Sequence, residues 1–153
     1  SYTEVREYTV GGNSHYNLIY NYDSSEKTLL FDGILTYLGY KLVGNNPWLE
    51  GLPCFSLFFT IKPMSVTFTR YIFRVKFIVD VYFIENKLYV KVACDNGDLE
   101  AVTDFVFAVG FKYNVAVVFS RYKGLYVYVD GGLAATTEVQ VDIGNTKAAI
   151  EGY

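Results

Sequence analysis

The chain has 153 residues, of which 52% are hydrophobic and 19% charged, a composition that predicts one folded domain over 1–153 and excludes a disordered chain. The net charge is −3 and the 13 Lys and Arg are scattered singly, so we expect no nucleic-acid partner. No apolar run reaches the roughly 18 residues of a membrane-spanning helix, so we expect no membrane span.

Period-two alternation of β-branched and aromatic residues runs through most of the chain and predicts an all-β fold. Short strands are predicted near the amino terminus at 1–10, 16–22, 28–31 and 34–42. The only histidine, His15, lies among small polar residues without a Cys or carboxylate at ligand spacing. We therefore interpret it as an ordinary polar residue and not as a catalytic base.

The longest irregular stretch, 44–53, contains the only tryptophan. Trp48 and the nearby Asn46 are candidate ligand contacts, because a tryptophan on a loop is often a binding anchor. An equally good interpretation places Trp48 under the sandwich as a plug. The two cysteines, Cys54 and Cys94, lack the spacing of a zinc site or a redox pair, and two buried free thiols are favoured over a single disulfide.

The middle of the chain carries the clearest alternation. A strand is predicted over 55–62 and ends at Pro63, which has no backbone donor. A second strand is predicted over 71–84, and after Glu85-Asn86 it pairs with 87–94 in a hairpin. The register of that hairpin is set by the buried face, because a slip by one residue would put lysines into the core. The predicted cross-strand pairs are Ile84–Lys87, Phe83–Leu88, Tyr82–Tyr89, Val81–Val90 and Asp80–Lys91.

The remaining segments are predicted as a turn and four strands. The sequence Asp95-Asn96-Gly97-Asp98 is typical of a turn, with a calcium loop as the weaker alternative because the regular ligand spacing is absent. Strands are predicted at 105–109 and 138–143, and a hairpin joins 115–119 to 125–130. About ten strands with turns at intervals of about ten residues favour two packed antiparallel sheets.

Five short blocks, in this order, resemble concanavalin A-like lectin/glucanase domains of the laminin-G type. They are 29–33 (LLFDG), 55–63 (FSLFFTIKP), 87–90 (KLYV), 115–119 (VAVVF) and 125–131 (LYVYVDG). The resemblance implies a jelly-roll sandwich of two antiparallel sheets, one of them concave.

The ends depart from that family, which normally closes with a strand resembling Phe-x-Gly-x-Ile-Asp-Glu-Val-Arg-Ile-Tyr. Residues 2–8, Tyr-Thr-Glu-Val-Arg-Glu-Tyr, look like the missing strand moved to the front. Residues 1–10 would then close their own sandwich, as in a circular permutant, or insert into a neighbouring subunit of a homo-oligomer. The third interpretation is an ordinary first strand.

Catalysis is not expected. Glucanases of this fold need carboxylates on alternate residues of one strand, and the Glu-x-Asp-x-x-Glu pattern is absent. The sequence also has no nucleophile elbow and no phosphate-binding loop. We therefore expect no enzyme activity, no cofactor and no metal.

Outward-facing polar and aromatic residues of the predicted strands are the candidate ligand-binding residues. Planar rings suit sugar stacking and charged groups suit hydroxyls, although the same rings also stabilise a sheet through cross-strand pairs without binding anything. The candidates are Tyr82, Tyr89, Tyr126, Tyr128, Asp80 and Lys91, in addition to Trp48 and Asn46.

Two functions follow from these candidates. The first is a non-catalytic recognition or adhesion module, outside the cell or on a particle surface, that binds a glycan or a surface protein. The second is a structural subunit of a virus shell, filament or surface appendage, assembled through aromatic contacts and exchange of residues 1–10. The placement outside the cell is implied by the resemblance alone.

Overall fold

The computed structural model describes residues 15–19, 21–23, 28–30, 37–40, 49–63, 70–75 and 78–148. Contacts between residues divide the chain into two compact units, Ser1–Pro47 and Trp48–Tyr153. The single domain predicted over 1–153 stays a prediction. The strand predicted over 1–10 lies outside the described residues.

The described part of the first unit consists of two antiparallel two-stranded sheets. Strand β1 (His15–Ile19) pairs with β4 (Tyr37–Tyr40), and β2 (Asn21–Asp23) pairs with β3 (Thr28–Leu30). The strand predicted over 16–22 is therefore two strands, β1 and β2.

The second unit contains two antiparallel four-stranded sheets, which confirms the predicted all-β, two-sheet fold class. The first sheet has the order β12-β11-β10-β5 and the second has the order β6-β7-β8-β9. No helix occurs among the described residues. The strands are β5 (Cys54–Ile61), β6 (Arg70–Val75), β7 (Val79–Ile84), β8 (Lys87–Cys94), β9 (Gly97–Val102), β10 (Tyr113–Ser120), β11 (Gly124–Val129) and β12 (Gly132–Glu138).

The core forms where the inward faces of the two sheets meet. Burial alternates with period two along β7, β8, β10 and β11, so every second side chain enters one hydrophobic cluster. Val81 and Val90 from the second sheet and Val117 and Val127 from the first are completely inaccessible to solvent. Burying each such side chain contributes about 1.5 to 3 kcal/mol to the free energy of unfolding.

The predicted β7–β8 hairpin is confirmed in position and in register. All five predicted pairs occur, including Tyr82 opposite Tyr89 and Asp80 opposite Lys91. The turn consists of Glu85 and Asn86 and contains no glycine, and Glu85 itself adopts the left-handed conformation, with φ of 54°.

The single strand predicted over 71–84 is wrong, because the chain reverses direction within it. Strands β6 and β7 form an antiparallel hairpin in which Val75 lies opposite Val79. Apolar alternation continues on both sides of the reversal, so the pattern alone does not reveal the turn. A bulge between Tyr71 and Phe73 also shifts the register, and Tyr71 is 56% exposed although strict alternation with Phe73 would turn it toward the core.

Two further strand predictions are wrong. Residues 105–109 form no strand, although Phe107 is buried, and residues 139–143 follow the end of β12. Strands β9 and β12 were not predicted. The sequence signal for β12 was the Asp130-Gly131 pair, which is typical of a two-residue hairpin turn. These two residues have positive φ angles of 50° and 83°, and they form the turn that precedes β12.

Both cysteines are free, as favoured, but they are not both buried. Cys94 is fully buried in the core, whereas Cys54 is exposed at the start of edge strand β5. Burial, followed by the negative charges of Asp98 and Asp95, raises the pKa of the Cys94 thiol to about 11.

Candidate functional site

The candidate residues that the structure describes lie on two different sheets and do not share one surface. Hairpins that follow each other in sequence belong to different sheets here, which local alternation cannot reveal. The second sheet carries Asp80, Tyr82, Tyr89 and Lys91, and the first sheet carries Tyr126 and Tyr128. Trp48 and Asn46 lie outside the described residues.

Three tyrosines lie side by side on the outer face of the second sheet and form the tyrosine row: Tyr71, Tyr82 and Tyr89. The rings of Tyr82 and Tyr89 are stacked, with centroids 5.3 Å apart and planes 19° apart. The ring of Tyr71 lies 5.5 Å from that of Tyr82. The guanidinium carbon of Arg74 lies 4.3 Å from the centroid of Tyr71.

The packing of the tyrosine row determines whether its rings are available to stack on a sugar. Tyr82 uses its ring in contacts with both neighbours, so ring contacts within the sheet occupy the surface that sugar stacking would need. Partial burial, followed by the negative charge of Glu100, raises the pKa of the Tyr82 hydroxyl. This geometry favours the interpretation that Tyr82 and Tyr89 stabilise the sheet.

A row of alternating charges lies beside the tyrosine row. This charged row consists of Arg74, Asp80, Lys91 and Glu100, each opposite the next on neighbouring strands. The Nε atom of Arg74 donates to Oδ1 of Asp80 over 2.8 Å. A depression of about 170 Å³ adjoins the row and includes Ala93 and Asp98 in its lining.

A wider opening lies on the outer face of the first sheet, and we call it the Ala116 trough. Ala116 on β10 is flanked by Phe58 on β5 and Tyr128 on β11, its direct cross-strand neighbours. Neighbouring strands are about 4.8 Å apart, so the backbones that carry the two rings are about 10 Å apart across the small alanine. The opening has a volume of about 490 Å³.

The two rings of the Ala116 trough are not paired with other rings of the described chain, in contrast to the tyrosine row. Phe58 is 77% exposed, and Tyr128 is half-buried. Beyond Tyr128 the same cross-strand row continues to Leu133, which is 56% exposed. The trough therefore presents aromatic surface that no other ring of the described residues covers.

Polar groups lie at one end of the trough. The hydroxyl of Thr60 donates to Oδ1 of Asn114 over 2.8 Å, which fixes that side chain and leaves its NH₂ group as a donor. The backbone N–H of Asn114 donates to Oδ1 of Asp130 over 2.9 Å, and the N–H of Asp130 donates to the carbonyl of Asn114. Gly131, which follows Asp130 in the β11–β12 turn, lines the trough. These contacts therefore connect the polar end of the trough to that turn.

Of the predicted site residues that the structure describes, only Tyr128 lines the Ala116 trough. Phe58, Ala116 and Asn114 were not predicted as site residues. Phe58 gave a partial signal, because it is a large aromatic residue on the outward side of the predicted strand 55–62. The role of Ala116 depends on β5 pairing with β10, about 60 residues later in the chain, which no local pattern encodes.

Within the described ranges, no group of three or more His, Cys, Asp or Glu residues is placed to hold a metal ion. In the same part of the chain, no helix is long and apolar enough to cross a membrane.

Comparison with known proteins gives little likeness. No family model matches the sequence, and no curated protein matches it. Among solved structures, the binding domain of botulinum neurotoxin DC in complex with SialylT and the binding domain of serotype C1 each match at 16% identity with a TM-score of 0.36. The binding domain of neurotoxin DC in complex with rat synaptotagmin II gives the same values.

These matches cover 66% of this chain but only 23% of each neurotoxin chain. The chain therefore spans less than a quarter of the length of the structures it matches. A likeness with a TM-score of 0.36 carries no argument about function.

Proposed function

We propose that this protein is a non-catalytic recognition module that binds one sugar ring of a glycan in the Ala116 trough. The observation that carries the proposal is the pair of rings, Phe58 and Tyr128, that flank Ala116 and have no ring partner among the described residues. Unused aromatic surface around a small floor residue is what an amphipathic ligand requires.

The dimensions of the trough fit such a ligand. A flat ring in van der Waals contact on both faces needs roughly 3.5 to 4 Å on each side. The spacing of about 10 Å between β5 and β11 provides that room when the aromatic side chains lean over the floor. The volume of about 490 Å³ lies within the usual range for small-ligand sites, so a monosaccharide unit fits.

The polar end of the trough orients the bound sugar ring. A pyranose presents C–H groups on its faces and hydroxyls at its edge, so its faces contact Phe58 and Tyr128 while its edge faces polar groups. The NH₂ group of Asn114 donates to one hydroxyl oxygen of the sugar, and Oγ1 of Thr60, whose own proton is donated to Asn114, accepts from another hydroxyl. Such pairs set specificity, while the rings supply most of the affinity.

The resemblance to laminin-G type domains, which carry concanavalin A-like sandwiches, supports a recognition role. The same resemblance supports a location outside the cell or on a particle surface. The second candidate, a structural subunit, is favoured by the exposed Phe58 and Leu133, which would also suit a protein contact.

Binding to an array of immobilised glycans with different terminal sugars tests the proposal. Phe58→Ala and Tyr128→Ala should each weaken binding to the preferred glycan at least tenfold. Ala116→Leu should abolish binding by filling the floor while leaving both rings in place. A wild-type protein that binds no glycan on the array would contradict the proposal.

Two matched controls locate the site. Tyr126→Ala removes the same residue type from the same strand and the same sheet face, one row away from the trough. The double variant Tyr82→Ala/Tyr89→Ala removes the stacked rings on the other sheet. Both should bind as the wild type does, and urea unfolding should show that every variant is folded. Loss of binding in the double variant alone would place the site on the second sheet instead.

A further inference from the structure

The charged row on the second sheet has a symmetry that the trough lacks. Across β6, β7, β8 and β9 the charges of Arg74, Asp80, Lys91 and Glu100 alternate in sign: plus, minus, plus, minus. Reading this row from the opposite end inverts every sign. A second copy that meets the row in reverse order therefore places an opposite charge over each charge.

One two-fold axis produces that arrangement. If the axis runs parallel to the strands and between β7 and β8, the two outer faces meet with β7 over the partner's β8 and β6 over the partner's β9. Asp80 then faces the partner's Lys91, and Arg74 faces the partner's Glu100. Such an isologous contact uses the same patch on both copies.

The tyrosine row fits the same axis. Tyr82 meets the partner's Tyr89, and Tyr71 meets the partner's Val102, because Val102 lies opposite Tyr89 on β9. Tyr71 is 56% exposed and offers apolar surface to such a contact. The axis therefore matches aromatic with aromatic or apolar side chains, and each charge with its opposite.

We propose that two copies of this chain associate face to face through the outer faces of their second sheets. Lys91 carries the contact at its centre, because it is exposed and forms no ion pair within 4.0 Å among the described residues. The adjacent depression of about 170 Å³, lined by both the carboxylates of Asp80 and Asp98 and the cationic Arg74 and Lys91, lies beside this contact. This inference is independent of the proposed function, since the Ala116 trough lies on the other sheet.

The size of the face sets the expected affinity. Four strands at about 4.8 Å and six residues at about 3.3 Å give a face of about 19 Å by 20 Å. This is smaller than the roughly 800 Å² per partner of a stable interface, and its charges must be desolvated. We therefore expect a reversible dimer, populated at tens to hundreds of micromolar protein and weakened by salt.

Sedimentation velocity of the full chain, from about 10 to about 500 µM at low and high salt, measures this association. In a dimer of either variant, Asp80→Lys or Lys91→Asp, residue 80 of each copy faces residue 91 of the other copy with a charge of the same sign. Each variant alone should be monomeric over the whole range. Glu138→Lys, the matched charge change on the first sheet, should dimerise as the wild type does.

An equimolar mixture of the two monomeric variants decides the question. One copy then carries two central positive charges and the other two negative charges, so the mixture should form a heterodimer. A general binding face for an unrelated protein would not produce this rescue. A wild type that stays monomeric at all concentrations, or folded variants whose mixture stays monomeric, would overturn the proposal.

Discussion

Thr146 and Leu52 are joined by two hydrogen bonds, although 94 residues separate them. The backbone N–H of Leu52 donates to Oγ1 of Thr146 over 2.8 Å, and the N–H of Thr146 donates to the Leu52 carbonyl over 2.9 Å. Thr146 is buried, and its hydroxyl donates to the carbonyl of Leu49. A single side chain therefore fixes the chain after β12 to the segment that precedes β5.

Thr146→Val tests that role because it keeps the shape of the side chain and removes the hydroxyl. The substitution leaves a partly buried N–H and a buried carbonyl without their side-chain partner, which should lower the free energy of unfolding by about 1 to 3 kcal/mol. Thr146→Ser keeps the hydroxyl and should cost less than Thr146→Val. Urea unfolding of the three proteins measures the difference, and equal stability of the valine and serine variants would contradict the prediction.

Protonation of Asp142 in acid should lower the stability of the same end of the sandwich. The guanidinium of Arg121 donates to this carboxylate, with Nε 2.8 Å from Oδ1, and the N–H of Gly144 donates to it as well. These bonds lower the pKa of Asp142 below its ordinary value. A lowered pKa in the folded state gives a stabilisation that is complete above the ordinary pKa and is lost as pH falls through the folded one.

The prediction is that Asp142→Asn lowers stability at neutral pH and flattens the loss of stability between about pH 4 and pH 2. Urea midpoints across that interval provide the measurement. Glu138→Gln, an exposed carboxylate replaced in the same way, is the control and should leave the shape of the acid profile unchanged. An Asp142→Asn profile parallel to that of the wild type would contradict the role of the ion pair.

Local sequence was sufficient for the β7–β8 register but not for the assembly of the sheets. The register is set within one hairpin, because a slip by one residue places Lys87 and Lys91 in the core. Which hairpins share a sheet depends on packing between segments far apart in sequence, so the local pattern does not show that the candidate tyrosines occupy two different sheets. The Ala116 trough depends on the same long-range pairing and gave no local signal.

The two thiols should differ sharply in reactivity. The thiolate is the reactive species, and Cys94 is both inaccessible and held protonated by a pKa of about 11. Cys54 is exposed. Titration of the native protein with a disulfide reagent should therefore label one thiol per chain quickly and the second only in denaturant. Cys54→Ser should remove the fast phase, and a fast phase that persists would contradict the assignment.

Gly124 and Gly131 both have positive φ, but only one of them should be irreplaceable. A Cβ at Gly124 would lie 2.1 Å from the carbonyl oxygen of Thr137, whereas a Cβ at Gly131 would meet nothing within 4 Å. Gly131→Ala should cost about 1 to 2 kcal/mol from backbone strain alone. Gly124→Ala adds a clash with the neighbouring strand and should cost about 3 kcal/mol or more. Thermal unfolding compares the two, and equal losses would contradict the predicted clash.

A double-mutant cycle distinguishes aromatic rings that stabilise the sheet from rings available to a ligand. Tyr82 and Tyr89 are stacked, so alanine substitutions at the two positions should be coupled by about 0.5 to 1.5 kcal/mol in the free energy of unfolding. Phe58 and Tyr128 are separated by Ala116, so the same cycle there should give a coupling of less than about 0.5 kcal/mol.

Both cycles use exposed or half-buried rings on the outer faces of sheets, so their two coupling energies can be compared directly. Strong coupling between Phe58 and Tyr128 would mean that their rings close over Ala116 and leave no room for a sugar. Addition of the preferred glycan should stabilise the wild type by mass action and should have no such effect on the Phe58→Ala/Tyr128→Ala double variant. Stabilisation of that double variant by the glycan would show that the ligand binds elsewhere.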